Sequence, residues 1–591
     1  MLVCDPDHSG ARGALRYKKD RSGRWVQARY RAPKNRNAGA LPEAQRGRYA
    51  AKAESLAGDT QLGAMIDTAC EDRGLLVRPL INMAVFSPPL IITRAQIDEM
   101  FDILEKALEK NGPIHVLRRG FAIAGCGQID MSEAAPEDQR NQKIIDRYAA
   151  NRLRVVPQLK YKHGHQDAID LGFFLNGLPV ATVELKTDFT QSAEAAKLQY
   201  IEDRLPVEPK TKRKHPLLTF KRGAIVHFAM SDSEIWMTTK LAGENTFFLP
   251  FNQGHEGRSG NPPGDDGEYP VAYFWEKICQ PDAWLRIFHS FVYVEKKDVV
   301  DLKGKWSVKE TQIFPRYHQL DAVNQMTADA KKNGPGLAYL CEHSAGSGKT
   351  STIAWTAHDL VKMRTDDGKA IFDTVIIVTD RNVLDSQLQD AVQQIDHQEG
   401  LIAAIDRETS SKPKNQQLTE AILKGTPIIV VTIQTFPHAM EAILTESSLK
   451  DRGFAVIIDE AHTSQTGSTA SKLQATLAMS SNKDMAGMTV EQRLEEIQKS
   501  RVRPSNISHF AFTATPKHST MMLFGRRPDP SQPADEGNLP ASFHKYEMRQ
   551  AIDEGFIMDV PQGYLPYKTA FNLGKKMVVE VTMTIMVEVA Q

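Results

Sequence analysis

Hydrophobic and polar positions divide the chain into stretches of very different regularity. Residues 1–66 show no sustained period and predict a flexible, unassigned leader. The apolar run from Leu75 to Phe86 predicts a strand, and Ser87-Pro88-Pro89 ends it. Thr93 and Gln96 then form a capping-box pair, and Ile97, Phe101, Leu104 and Leu108 recur at helical spacing, which predicts an amphipathic helix. Residues 112–300 mix strand-like and helical runs around a Gly- and Pro-rich stretch, Gly254 to Pro270. From 301 to 530, short apolar runs alternate with amphipathic ones, the pattern of a parallel, doubly wound sheet. Residues 531–591 are too few for another such domain, so the expected class is α/β throughout.

One pattern makes a sharp geometric demand. The runs Ala168–Leu175 and Val180–Lys186 flank Asn176-Gly177 and predict a β-hairpin. Side chains alternate along a strand, so Glu184 and Lys186 share a face. A two-residue loop pairs Asp170 with Val183 and turns Glu184 the other way. A three-residue loop, or an equivalent bulge, sets Asp170 opposite Glu184, and this is the register expected here.

Composition changes this picture little. The 591 residues carry 73 basic and 73 acidic side chains, so a nucleic-acid partner has to be met by local patches and not by a global field. One such run spans Lys210 to Arg222, although a solvated loop has the same composition. Cys4, Cys70, Cys126, Cys279 and Cys341 are scattered singly, which argues against a zinc knuckle or a disulfide framework. His163 and His165 lack partners for zinc and read as a turn, and Asp167 reads as a loop residue. No apolar run approaches the ~18 residues of a membrane span, and Asp5, Asp7 and His8 stand where a signal peptide needs an apolar core. A cytoplasmic protein without a membrane partner is expected.

The candidate chemistry falls into two sets. Asp170 and Glu184 offer converging oxygen ligands to Mg²⁺, with Lys186 beside them to orient water or stabilise phosphate charge, the requirements of phosphodiester hydrolysis. Asp, Glu and Lys on a hairpin face also suit a purely structural, solvated role. Further on, the strand-like Leu337 to Cys341 runs into Ala345-Gly346-Ser347-Gly348-Lys349-Thr350 and an amphipathic stretch, the context of a phosphate-binding loop. Loop amides would cradle the phosphates of ATP, Lys349 would reach the β and γ oxygens, and Thr350 would hold Mg²⁺. His343 stands in place of the first glycine of that pattern. Asp459 and Glu460 close the apolar run from Phe454, where the first can hold the metal and the second can polarise water.

With Asp170, Glu184 and Lys186 in the motif positions, the hairpin resembles the PD-(D/E)xK nuclease superfamily. Asn151-Arg-Leu-Arg-Val-Val156, Asn176-Gly-Leu-Pro179 and Gln199-Tyr200 are similar to the nuclease domain of Type I restriction subunits. Gln199 stands for that family's glutamine, while the later tyrosine at the usual spacing is absent. The second set resembles a superfamily-two helicase: Arg316-Tyr-His-Gln319 with Gln319 as the adenine contact, Thr379-Asp-Arg381 with Leu384, Asp385 and Gln387, Thr432-Ile-Gln-Thr435, Asp459-Glu-Ala-His462 and Thr513-Ala-Thr515. The resemblance covers about residues 113–565. It implies a RecA-like domain after the nuclease domain, ATP and Mg²⁺ as cofactors, and DNA together with methylation and specificity subunits as partners.

Two departures accompany it. Residues 67–111, with Gly74-Leu-Leu-Val-Arg-Pro79, resemble the C-terminal end of a class III aminotransferase, which suggests a fused or mis-joined reading frame. The family's second motor domain begins near Ser542, and the ending after Lys575 looks unlike its continuation. A truncated chain lacking the second lobe's arginine would bind ATP with little coupled translocation. The competing expectations are a helicase or translocase without nuclease activity and a non-catalytic fragment.

Overall fold

The computed structural model of the protein describes residues 16–19, 25–28, 94–123, 127–162, 165–264, 267–300, 304–379, 382–395, 401–404, 413–461, 505–529, 532 and 537–558. The expected strand at 75–86, the cap residue Thr93, the aminotransferase-like residues before Arg94, His163, Asp380, Arg381, His462 and the final stretch from 559 lie outside the described residues, as do the side chains of Ile97, Leu384, Asp385 and Gln387.

Within the leader expected to be irregular, β1 (Arg16–Lys19) and β2 (Trp25–Ala28) pair antiparallel. Tyr17, Trp25 and Val26 are residue types that favour strands, and here they outweigh the surrounding Arg- and Gly-rich composition. Helix α1 (Arg94–Asn111) follows and buries Phe101, Leu104 and Leu108, the apolar face expected from their spacing. Gly112, at φ 82, breaks it before α2 (Pro113–Arg119), where Pro113 occupies the first helical turn. The short ribbon β3 (Phe121–Ile123) with β4 (Gly127–Ile129) and helix α3 (Gln142–Ala150) lead into the first large sheet.

That sheet contains β5 (Leu153–Lys160), β6 (Ala168–Leu175), β7 (Leu178–Leu185), β8 (Val226–Met230), β9 (Ile235–Thr238) and β10 (Leu249–Pro250), in the order β10-β9-β8-β7-β6-β5. All neighbours run antiparallel except β7 and β8, whose parallel pairing is bridged by helix α4 (Ala193–Glu202). The helix rests on the sheet through Ala193, Ala196 and Tyr200. Helix α5 (Pro281–Arg286) and the hairpin β11 (Tyr293–Val300) with β12 (Trp306–Ile313) come next.

Helix α6 (Tyr317–Asn333) enters the second sheet, which is parallel throughout. Its strands are β13 (Ala338–His343), β14 (Thr374–Thr379), β15 (Ile402–Ala404), β16 (Ile428–Thr432), β17 (Phe454–Ile458), β18 (Ile507–Thr513) and β19 (His544–Tyr546), ordered β15-β16-β14-β17-β18-β13-β19. Strands β14, β16, β17 and β18 are buried along their whole length, as near-continuous Val, Ile and Phe runs require when helices cover both faces. Among the helices are α7 (Lys349–Lys362), α8 (Asn382–Ile395), α9 (Lys414–Lys424), α10 (Phe436–Thr445), α11 (His518–Phe524) and α12 (Met548–Asp553). One hydrophobic core runs from Phe101 and Leu108 through Phe228 and Phe291 to Trp355 and Phe510, so the two sheets share packing. The Trp355 indole N–H donates to the Phe291 carbonyl at 2.9 Å, and Arg286 pairs with Asp359 at 2.6 Å. No described helix is long and apolar enough to cross a membrane.

Candidate functional site

Asn176 (φ 48) and Gly177 (φ 88) form a two-residue turn whose two positive φ values match the right-handed twist of the flanking strands. Leu175 therefore faces Leu178, and this even register would turn Glu184 away from Asp170. A β-bulge corrects it. Phe174 pairs with Pro179 and Phe173 with Ala181, leaving Val180 as the extra residue. Beyond the bulge Leu171 lies opposite Val183, which sets Asp170 across from Glu184 at the open end of the hairpin. The bulge, and not a longer loop, supplies the register that the sequence demanded.

The Glu184 side chain is fully buried and faces α4. On the same face of β7, the Thr182 hydroxyl lies 2.8 Å from the Tyr200 hydroxyl and 2.7 Å from His227 Nδ1, and Lys186 Nζ donates to Gln199 Oε1 at 2.6 Å. Asp170 accepts at Oδ2 from the Leu185 amide (2.8 Å) and at Oδ1 from Gln158 (3.2 Å). Arg204, just past α4, donates from Nε to Glu184 Oε1 at 2.6 Å and from Nη2 to the Ala168 carbonyl at 2.7 Å. Burial pushes the Glu184 carboxyl up to about 7; Arg204 pulls against this, and the nearby Asp170 charge adds to it.

Glu184 Oε2 is buried and has no hydrogen-bond partner among the described residues. A buried carboxylate oxygen in that condition is costly unless a cation meets it or a proton, which the raised Glu184 carboxyl could share with Asp170, neutralises it. The donor set fits Mg²⁺, which takes one or two carboxylates and keeps several waters; among the described residues no third His, Cys, Asp or Glu joins the cluster. The remaining sequence candidates around the hairpin separate cleanly. Asp167 is a loop residue paired with Lys162 at 2.7 Å, and His165 is exposed. In the basic run, Lys221 pairs with Glu310 (2.7 Å) and Arg222 with Glu105 (3.1 Å) and Glu109 (3.2 Å), while Lys210, Lys212, Arg213 and Lys214 face solvent.

The second candidate site lies at the carboxyl edge of the parallel sheet, where ligands of open α/β folds sit. Strand β13 ends at His343, residues 344–348 form the loop, and Gly346 (φ 72) and Gly348 (φ 78) take left-handed conformations before α7 begins at Lys349. Strand β18 lies between β13 and β17, so Thr513 ends beside both the loop and the Asp459-Glu460 pair. Glu460 itself holds φ 47, unusual for a residue with a side chain and a conformation that recurs at functional sites. Its carboxylate reaches Lys349 Nζ at 3.2 Å, and Asp459 Oδ1 accepts from the Glu460 amide at 2.9 Å. Ser347 is buried and Thr350 exposed at the helix start. Gln319 donates from its amide nitrogen to the carbonyls of Ser347 (3.2 Å) and Gly348 (3.0 Å), and its Oε1 accepts from the Arg316 amide. The residue expected to meet adenine is thus brought onto the backbone of the phosphate loop.

Sequence reasoning missed Arg204, which belongs to no motif and stands 20 residues beyond the glutamate it contacts. It also missed the buried chain of His343 Nε2 to His544 Nδ1 (2.9 Å) and His544 Nε2 to Asp321 (3.2 Å) behind the phosphate loop. His343 occupying a glycine position was the available signal for the second.

Residues 127–246 match the family described as Type I restriction enzyme R protein N terminus, and residues 318–583 match SWI2/SNF2 ATPase. The Type I restriction enzyme HindI endonuclease subunit of Haemophilus influenzae is 25% identical over 328 residues, covering 55% of this chain and 29% of its own length. A Methanocaldococcus jannaschii protein, provisionally named a type I restriction enzyme MjaVIIIP endonuclease subunit, is 22% identical over 400 residues, 64% of this chain and 34% of its own. The chain thus spans about a third of these relatives' length. The UvsW helicase of bacteriophage T4 aligns with a TM-score of 0.22 at 14% identity, covering 35% of this chain and 54% of that one. A Vibrio vulnificus fragment provisionally assigned as an HsdR subunit of a type I restriction enzyme aligns at 0.25 and 16% identity, covering 68% and 54%.

Proposed function

We propose that this chain acts as part of a Type I restriction subunit, hydrolysing DNA phosphodiester bonds with Mg²⁺ and binding and hydrolysing ATP at a separate site, a reading its two matched segments support. The six-stranded sheet with its hairpin and α4 is the nuclease domain of PD-(D/E)xK type, and the parallel sheet is the RecA-like motor domain. Asp170 and Glu184 hold the metal. Lys186, braced by Gln199, faces the phosphate and its attacking water. At the motor site the loop from Ala345 to Gly348 cradles phosphates, Lys349 neutralises them, Thr350 and Asp459 hold Mg²⁺, and Glu460 polarises water once nucleotide draws Lys349 from it. DNA is the substrate, and methylation and specificity subunits are the partners.

The bulge at Val180 carries the nuclease assignment, because it alone turns two carboxylates from adjacent strands toward one point. The test is nicking of supercoiled DNA in Mg²⁺ by purified protein. Glu184→Ala is expected to lower it by more than about 100-fold, beyond the cost of losing an outer-shell partner, with circular dichroism unchanged. Retained nicking in that variant would reject the assignment.

A second reading treats Glu184 and Arg204 as a structural ion pair in a translocase that cuts nothing. Their near-complete burial favours it; the orphaned Oε2 favours the metal.

A further inference from the structure

The contact between Arg204 and Glu184 has an unusual form. A guanidinium can grip a carboxylate with two parallel N–H donors, and buried pairs gain from doing so. Arg204 instead gives Glu184 one donor, Nε to Oε1 at 2.6 Å, and turns Nη2 to the Ala168 carbonyl at 2.7 Å. Ala168 opens β6 two residues before Asp170, so the guanidinium is braced to the strand that carries the other carboxylate. The Tyr161 ring lies 5.6 Å from its Cζ and closes one side. Both charged side chains are sequestered, with 8% of Arg204 and none of Glu184 exposed. The consequence is asymmetric: Oε1 is fixed, while Oε2 is left buried and unsatisfied beside Asp170.

We propose that Arg204 is a positioning residue for the metal centre, clamping Glu184 through Oε1 so that Oε2 alone is presented to a divalent cation shared with Asp170. This deepens the nuclease reading and rests on it. Because Nη2 holds a backbone carbonyl, the clamp stays in place when the cation arrives. It is not a stand-in that the metal must displace. Arg204 and Lys186 also balance the two carboxylates, so a dication enters a site close to neutral and is held by geometry more than by excess negative charge.

The direct test measures Mn²⁺ binding by electron paramagnetic resonance, without nucleotide, in the full chain carrying Asp459→Asn to remove the carboxylate assigned to metal at the motor site. Arg204→Gln is expected to weaken Mn²⁺ binding by about 10- to 100-fold. Arg204→Lys keeps the charge and one donor but loses the second anchor, and is expected to fall between. Thermal melts report whether each variant folds, and Arg204→Lys decides the question if Arg204→Gln does not. Unchanged affinity in a folded variant overturns the proposal, and tighter binding shows that Arg204 competes with the metal. Glu184→Gln separates this from the underlying reading: if it binds Mn²⁺ as well as the parent, no nuclease metal centre exists at the hairpin, whatever Arg204 does.

Discussion

Glu460 is the residue on which the proposed motor site turns. It holds φ 47, a conformation that costs a residue with a Cβ on the order of 1 kcal/mol, and it spends its carboxylate on Lys349 at 3.2 Å. In the proposed function, the pair would keep the lysine that meets phosphate and the glutamate that polarises water together until a triphosphate separates them. Glu460→Gln therefore has two effects of opposite sign. Lys349 is released from an ion pair, so binding of a fluorescent ATP analogue is expected to hold or tighten. Hydrolysis, which needs a base-like group at that point, is expected to fall by about 10²- to 10⁴-fold. Equal losses in binding and turnover would show that Glu460 supports the loop and not the chemistry. Gln319 illustrates the reverse lesson. Its motif pointed to a base contact, and its three hydrogen bonds to the Arg316 amide and to the carbonyls of Ser347 and Gly348 fix it against the phosphate loop, a geometry that residue type alone does not specify.

At the level of elements, the hairpin separates what sequence dictates from what folding adds. Alternation placed Glu184 and Lys186 on one face, and Asn176-Gly177 fixed a two-residue turn. A regular hairpin on that turn forbids Asp170 from facing Glu184, and the sequence left open whether a three-residue loop or a bulge would supply the register. Val180 is not marked as the bulged residue by its type; it is set there because the apolar faces of β6 and β7 must both meet the core. Motif order along the parallel sheet was legible for a simpler reason: the motifs after Gln319 follow apolar runs, and parallel strands bring the ends of such runs to one edge. Arg204 was invisible because its contact depends on where α4 ends. Inserting one alanine between Thr182 and Val183 puts Val183 opposite Asp170 and turns Glu184 away, and is expected to abolish Mn²⁺ binding at the hairpin while nucleotide binding at the motor site persists. Val180→Ala is the control for packing. It costs about 2 kcal/mol of stability by emptying a buried site, but keeps the residue count and hence the metal. Loss of Mn²⁺ in both variants alike would mean that packing, not register, governs the site.

Across the whole molecule, burial has been extended to imidazoles as well as carboxylates. His227 is held down to about 3 and His289 to about 4, chiefly by burial, and the Arg118 and Lys362 charges add to the second. His318 and His343 lie well below the usual range, again chiefly through burial. All four are neutral in the fold, whereas in the unfolded chain an imidazole protonates near 6.5. The unfolded state therefore binds more protons below that value, and stability falls as pH is lowered. The contribution is complete above about pH 6.5 and is lost progressively toward pH 4, each histidine adding a slope of about 1.4 kcal/mol per pH unit. These four sit in both sheets and in the helices between them, on either side of one continuous core, so both sheets should weaken together. Urea titrations followed by tryptophan fluorescence are expected to show midpoints dropping steadily between pH 7 and pH 5. His227→Phe removes one titrating group from the first sheet and is expected to make that drop shallower by about one proton's worth. The buried carboxyls of Glu184, Asp359 and Glu554, all raised chiefly by burial, take up protons in the fold and pull the other way. The variant therefore decides: a midpoint profile that His227→Phe leaves unchanged would contradict the neutral burial of that side chain.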